Sequence, residues 1–367
     1  KNNRKEEGVC NMKKTALIMA GGRGERFWPK SRKSLPKQFL SLTDDGRTMI
    51  QLTVERIRPL IAMEDIFIST NRAYRELVLE QLPQLPPENI LCEPVGRNTA
   101  PCIGLGAVHM AEKYEDALMM VLPSDHLIKY HKMYLNVLKD GCSIAEKGNN
   151  LVTIGITPDY PETGYGYIKF RPEEAEGNAY TVDRFVEKPD LETAKEYLET
   201  EEYLWNSGMF IWKVSTILEN FQKFLPEMYS GLEKIRSVIG TDKQEMILEK
   251  TFPDLESVSI DYGIMEKAQN IYILPGVFGW DDVGSWLAVE RIQKSNENGN
   301  VVTGNIITIH SKNNIIQGGK KLIAAVGLQD LIIVDTDDAT LICEKGSAAD
   351  IKMVLENLKI CNREEYL

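Results

Sequence analysis

Short apolar runs recur through the first half of the chain: Ala16 to Met19, Asp65 to Thr70, Ile90 to Cys92, Ala117 to Leu122 and Leu151 to Ile156. Their length and flanks are those of strands in a parallel sheet buried on both faces. Between them lie Met49 to Leu60, Ala73 to Leu82, Ala100 to Lys113 and Tyr134 to Lys147. There apolar residues recur at helical spacing, as in Ile50, Val54, Ile57 and Ile61. This alternation predicts an α/β fold with a doubly wound, mostly parallel sheet. Right-handed crossovers would bring the strand C-termini to one rim, where open α/β sheets bind ligands.

The pattern changes between about Tyr160 and Pro275. Aromatic, hairpin-like strands (Tyr165 to Phe170, Tyr180 to Val186, Met209 to Val214) alternate with longer helices, which predicts an inserted lobe at about 157–275 beside a first half at about 12–156. Together these make a main domain over 12–290. After Trp286 a short helix gives way to closely spaced short strands at Val301 to Ile309, Asn314 to Ile316, Leu322 to Val326, Leu331 to Val334 and Thr340 to Cys343. Turn signals such as Asn313-Asn314 and Gly318-Gly319 separate them. A small β-domain over 291–367 is expected, closed by a helix on Ile351, Val354, Leu355 and Leu358.

At 367 residues the chain has room for two or three units, and 43% hydrophobic with 26% charged residues is ordinary for a globular protein. No window approaches a spanning helix, so no membrane partner is expected. Residues 1–11 are polar and precede Met12, and read as an N-terminal extension. Six cysteines without paired spacing read as reduced thiols, and the expected compartment is cytoplasmic. A net charge of -11 argues against nucleic acid as a partner.

Against that acidic background, the segment after the first strand reverses sign. Ala20-Gly21-Gly22-Arg23-Gly24-Glu25-Arg26 leads into Lys30, Arg32, Lys33 and Lys37. Glycines let backbone N–H groups approach anionic oxygens, and Arg and Lys supply the charge, so the segment reads as a phosphate cradle. The plainer alternative is a glycine turn followed by a solvated basic face. An oxidoreductase-type dinucleotide loop fits poorly, because Gly22-Arg23-Gly24-Glu25-Arg26-Phe27 lacks the third glycine.

Further strand exits carry acids. In Pro123-Ser124-Asp125-His126, Asp125 is placed to hold a divalent cation against a polyphosphate, or simply to cap a turn. Trp280-Asp281-Asp282-Val283-Gly284 supplies two more carboxylates, and two oxygen ligands with phosphate and water make a natural octahedral magnesium site. Their alternative is a helix cap. Glu93 to Pro101, with Arg97, Asn98, Thr99 and Ala100, offers donors and acceptors for a purine edge and ribose, or an N-cap. Thr163 to Ile168, Glu187-Lys188-Pro189 and Asn206-Ser207-Gly208 offer aromatic, carboxylate, amide and cationic partners for a phosphorylated sugar, or individually are a glycine turn, a surface ion pair or a strand start.

Taken in order from Met12 to Leu358, these motifs resemble those of the bacterial mannose-1-phosphate guanylyltransferases within the sugar-nucleotidyltransferase family. The resemblance implies a Rossmann-like nucleotidyltransferase fold and transfer of GMP from GTP to mannose 1-phosphate. Another nucleotide or hexose 1-phosphate is the alternative. It implies that Ala20, Gly21, Gly22, Arg23, Gly24, Glu93, Arg97, Asn98, Thr99, Ala100, Pro123 and Ser124 hold the nucleotide. Gly164, Tyr165, Gly166, Glu187, Lys188 and Asn206 would hold the sugar phosphate. Arg26, Lys37 and Lys188 would be catalytic, and Asp125 and Asp282 would carry Mg2+, with Asp281 ranked below Asp282. Some relatives add a C-terminal isomerase module. This chain ends at Leu367, so the transferase activity alone is expected, in a chain that could form a homodimer. A noncatalytic nucleotide-sugar sensor is the rival reading.

Overall fold

The computed structural model describes residues 12–186 and 188–367. Residues 1–11, and with them the expected N-terminal extension, lie outside the described residues. The first apolar run forms Lys13–Ala20 (β1), in which Ala16, Ile18 and Ala20 enter one hydrophobic cluster and Leu17 the other. That two-residue alternation, with both sides covered, is why the run is continuously apolar. Ile66–Asn71 (β2) lies parallel to β1 on one side with Ile90–Glu93 (β3) beyond it, and Ala117–Pro123 (β4) lies parallel on the other.

The chain continues through Leu127–Ile128 (β5), Leu151–Ile156 (β6), Tyr167–Glu176 (β7), Ala179–Val186 (β8), Tyr203–Lys213 (β9), Ile271–Gly276 (β10) and Trp280–Asp281 (β11). A nine-stranded sheet results, in the order β3-β2-β1-β4-β9-β6-β10-β8-β7, while β5 and β11 form a separate ribbon. The parallel expectation describes the first four strands and the β6–β10 pair. The inserted lobe does not stand apart from this sheet. Its long strand β9 enters antiparallel between β4 and β6, adding its apolar residues Phe210, Ile211 and Trp212 to the core.

Helices cover both faces. Met49–Ile57, Arg75–Gln81 and His131–Glu146 pack over one cluster; Thr99–Lys113, Val214–Phe224, Pro226–Arg236 and Gln244–Thr251 pack over the other. Among the described residues, no helix is long and apolar enough to cross a membrane.

The C-terminal segment folds as stacked coils. Val301–Thr303 (β12), Ile306–Ile309 (β13), Ile315–Gln317 (β14), Ile323–Val326 (β15), Leu331–Asp335 (β16) and Thr340–Glu344 (β17) pair coil on coil, β12-β14-β16 in parallel and β13-β15 likewise. The expected single strand Val301 to Ile309 is broken at Gly304, whose φ of 106° turns a corner open to glycine. Asn300 and Asn314 are fully buried, and Asn314 Nδ2 donates to Asn300 Oδ1 at 2.9 Å, so the side chains satisfy the coil corners internally. The closing helix is Ile351–Ile360. Phe27 and Trp28 from the basic loop share one core with Trp286, Ile332, Val334, Ile351 and Leu355. The coils are therefore anchored on the back of that loop.

Candidate active site

The C-terminal ends of β1, β3 and β4 open onto one cavity of about 480 Å³, as the parallel topology demands. Gly21 and Gly22 line it from β1, Glu93, Gly96, Arg97, Asn98 and Thr99 from β3, and Pro123 and His126 from β4. Strand β9 contributes Asn206, Ser207 and Gly208, where a register shift against β6 between Thr153 and Gly155 re-aims the backbone toward the cavity. Glu93 is buried and accepts from Ser69 Oγ at 2.8 Å, and burial raises its carboxyl pKa above the ordinary value. Asn98, the N-cap, accepts from Thr99 N at 2.9 Å and Thr99 Oγ1 accepts from Ile260 N at 2.8 Å, and both residues line the cavity. The Arg97 guanidinium donates to the Pro253 carbonyl.

A second cavity, of about 580 Å³, adjoins the first and shares His126 and Asp282 with it. Its lining is charged: Arg23, Arg26, Lys37 and Lys352 face Asp125, Asp282 and Glu25. At its centre the buried Lys37 ammonium donates to Asp125 Oδ2 at 2.8 Å and to the Asp282 carbonyl at 2.7 Å. One cation thus joins the exit of β4 to the segment after β11. Burial works to raise the Asp125 pKa, but Lys37 and His126 outweigh it and the carboxyl titrates below its usual value. His126 is pushed toward its neutral form by burial and by Lys37, consistent with its Nδ1 accepting from Trp280 Nε1 at 3.1 Å.

Neighbouring carboxylates 281 and 282 point to different tasks. Asp282 Oδ1 accepts from the Tyr165 hydroxyl at 2.7 Å and from Gly284 N at 3.1 Å, on the wall between the two cavities. Asp281 is buried and held by Arg291 through two bonds of 2.5 and 3.0 Å, facing a separate cavity of about 400 Å³ behind Tyr165 and Trp280. Asp125 and Asp282 are hard oxygen donors of the kind magnesium takes. Among the described residues no group of three or more His, Cys, Asp or Glu is gathered for a metal, so a cation here would draw its remaining ligands from phosphate and water.

Several residues expected at the site are placed elsewhere. Ala20 and Ala100 are fully buried: the Ala20 carbonyl accepts from Gln38 Nε2 and Thr70 Oγ1, and Ala100 N donates to the Val258 carbonyl. Ser124 is buried, its amide donating to the Met19 carbonyl. These three lie outside the linings of the cavity and of the charged cavity beside it. Of the Gly164-Tyr165-Gly166 turn, only Tyr165 lines the cavity. Lys188 is exposed and outside both linings, and Glu187 lies outside the described residues. Arg26 Nη1 reaches the Gly284 carbonyl at 3.5 Å.

The basic run divides. Arg23, Arg26 and Lys37 line the charged cavity, whereas Lys30, Arg32 and Lys33 turn to the C-terminal coils. Conversely, Asp261, Trp280, His126 and Lys352 line the cavities without having been singled out from sequence. Asp261 accepts from Asn206 Nδ2 at 2.8 Å across a separation of 55 residues, which no local pattern signals. His126 could have been found from its place beside Asp125 at a strand exit.

The Nucleotidyl transferase family model covers residues 15–299, and a MannoseP isomerase/GMP-like beta-helix domain model covers 304–358. A mannose-1-phosphate guanylyltransferase of Salmonella muenchen is 42% identical over 95% of this chain and 74% of its own length. That of Escherichia coli K12 is 40% identical over 95% and 74%. Among solved structures, one described as a mannose-1-phosphate geranyltransferase from Thermus thermophilus superposes with a TM-score of 0.84. It is 34% identical, with 95% of this chain and 100% of that one covered.

Proposed function

The chain belongs to the nucleotidyl transferase family, and from that premise we propose that it transfers GMP from GTP to α-D-mannose 1-phosphate, forming GDP-mannose and pyrophosphate. The observation that carries this reading is the junction, at Asp282 and His126, of a largely apolar cavity holding a few polar groups, among them Glu93, Asn98 and Asn206, with a cation-rich one. A nucleoside and a sugar fit the first, a departing pyrophosphate fits the second, and the α-phosphorus falls where they meet.

A mannose 1-phosphate oxygen attacks the α-phosphorus in line, and the bond to the β-phosphate oxygen breaks. The acceptor oxygen is already anionic at neutral pH, so no general base is required; what limits the reaction is repulsion between two anions and their alignment. Arg23, Arg26 and Lys37 offset the charge that accumulates on the leaving pyrophosphate. The amides of Gly21 and Gly22 approach the nucleotide, and Glu93 accepts from the amine edge of guanine. Asn206 and Tyr165 hold the hexose side, with Asp261 fixing the Asn206 amide. Asp125 and Asp282 would hold Mg2+, which neutralises phosphate charge when bound. Lys188 would reach the sugar phosphate from the exposed segment after β8.

Pyrophosphate release from GTP with mannose 1-phosphate, compared with ATP, UTP and glucose 1-phosphate, tests the reading. Preference for GTP and mannose 1-phosphate supports it. A higher rate with another pair would reassign the substrates, and no release with any pair would favour a sensor.

A further inference from the structure

Half of the cations in the opening basic run serve the C-terminal coils. Lys30 Nζ donates to Gln317 Oε1 at 3.1 Å, Arg32 pairs with Asp338 at 2.7 Å and donates to the Tyr366 carbonyl at 2.6 Å, and Lys33 pairs with Glu364 at 3.1 Å. Trp28 Nε1 donates to the same Tyr366 carbonyl at 2.7 Å. With Phe27 and Trp28 sharing the core of Ile351 and Leu355, the helix Ile351–Ile360 is held in a set position against the loop.

That position gives one residue a distinct environment. Ile351 and Leu355, one turn apart, face inward, and Lys352, about 100° round the helix from Ile351, lines the charged cavity beside Arg23, Arg26 and Lys37. Lys352 is exposed and forms no ion pair among the described residues. The three cations from the loop are matched by three carboxylates, Glu25, Asp125 and Asp282, in the same lining. Lys352 is the charge that tips this lining positive.

We infer that Lys352 is a polyphosphate-binding residue supplied by the C-terminal unit, so that its closing helix completes the pyrophosphate side of the site while the stacked coils brace it. The inference deepens the reading above and rests on it for the identity of the anion as leaving group. A cation in a half-open site contacting a phosphate oxygen contributes roughly a factor of ten in affinity.

The test uses the full chain and inorganic pyrophosphate with magnesium, titrated calorimetrically into wild type, Lys352→Ala and Lys352→Arg, with thermal melts as the folding control. Lys352→Ala should bind pyrophosphate about tenfold more weakly and raise KM for GTP, with KM for mannose 1-phosphate and the melting temperature unchanged. Lys352→Arg should restore most of the affinity. A merely structural lysine would shift the melt, or both KM values together. Pyrophosphate binding by Lys352→Ala within twofold of wild type, or no binding by wild type, overturns the inference. If wild type turns over no nucleotide and sugar phosphate pair yet binds pyrophosphate in a Lys352-dependent way, the proposed reaction fails and the site assignment stands.

Discussion

Gly24→Ala adds one methyl at the point where the glycine loop passes closest to the Lys37 segment. Gly24 has φ 61° and ψ 32°, a left-handed conformation costing an alanine roughly 1–2 kcal/mol. A Cβ there would sit 2.2 Å from Lys37 Cβ and 2.9 Å from Lys37 N. Neither atom can swing aside by side-chain rotation, so the two segments must part, and overpacking of this kind costs a further ~1–3 kcal/mol. The expected total is ~2–5 kcal/mol from urea unfolding. Lys37 holds Asp125 and the Asp282 carbonyl through its ammonium, so parting the segments by about 1 Å should lower kcat/KM for pyrophosphate release roughly 100-fold in the folded fraction. Gly177→Ala separates the two costs: its φ is 63° but nothing lies within 4 Å of its Cβ, so it should lose only about 1 kcal/mol and no activity. Gly24→Ala with stability equal to Gly177→Ala and kcat/KM within threefold of wild type would refute the close approach.

Lys37→Met should lower kcat/KM by about 100-fold or more. Because Asp125 titrates below its ordinary value in the folded protein, the stability it contributes is present above about pH 4 and lost below it; the gap between wild type and Lys37→Met in urea melts should shrink as pH falls through that range. Glu93 shows the opposite sign: burial raises its pKa, so it favours folding most below about pH 4.3 and progressively less as pH rises through its folded value. Glu93→Gln should therefore gain stability relative to wild type as pH rises above about 4.3, while its preference for GTP over ATP falls about tenfold or more; unchanged base preference would remove Glu93 from recognition. Asp281→Asn breaks the Arg291 pair and should cost ~1–3 kcal/mol, discounted because Arg291 is partly exposed, with kcat per folded molecule retained. Asp282→Asn should do the reverse, losing at least about 100-fold in rate with little change in melting temperature.

How much of this was legible beforehand follows the range of the interactions. The apolar runs of β1, β2, β3 and β4 and the helical periodicities between them report their own burial, because facing two covered sides requires continuous apolarity over a few residues. The glycine loop, Glu93 and Asp125 stand at strand exits, so their convergence on one rim follows from parallel topology alone. Insertion of β9 between β4 and β6 does not follow, since its partner residues on those strands lie 49 to 95 positions away and its pattern suits any buried strand. The fates of Asp281 and Asp282 are equally illegible: adjacent and chemically identical, they are separated only by which side of the chain meets Arg291 and which meets Tyr165.

The basic run marks the boundary most sharply. Sequence by itself determined that cations gather behind β1 in an otherwise acidic chain. Only the tertiary structure decided that Arg23, Arg26 and Lys37 face the cavity while Lys30, Arg32 and Lys33 clasp the C-terminal unit, whose closing helix returns Lys352 from more than 300 residues downstream. A charge carries no record of its partner in its own identity; the partner is set by which surfaces the hydrophobic core brings together.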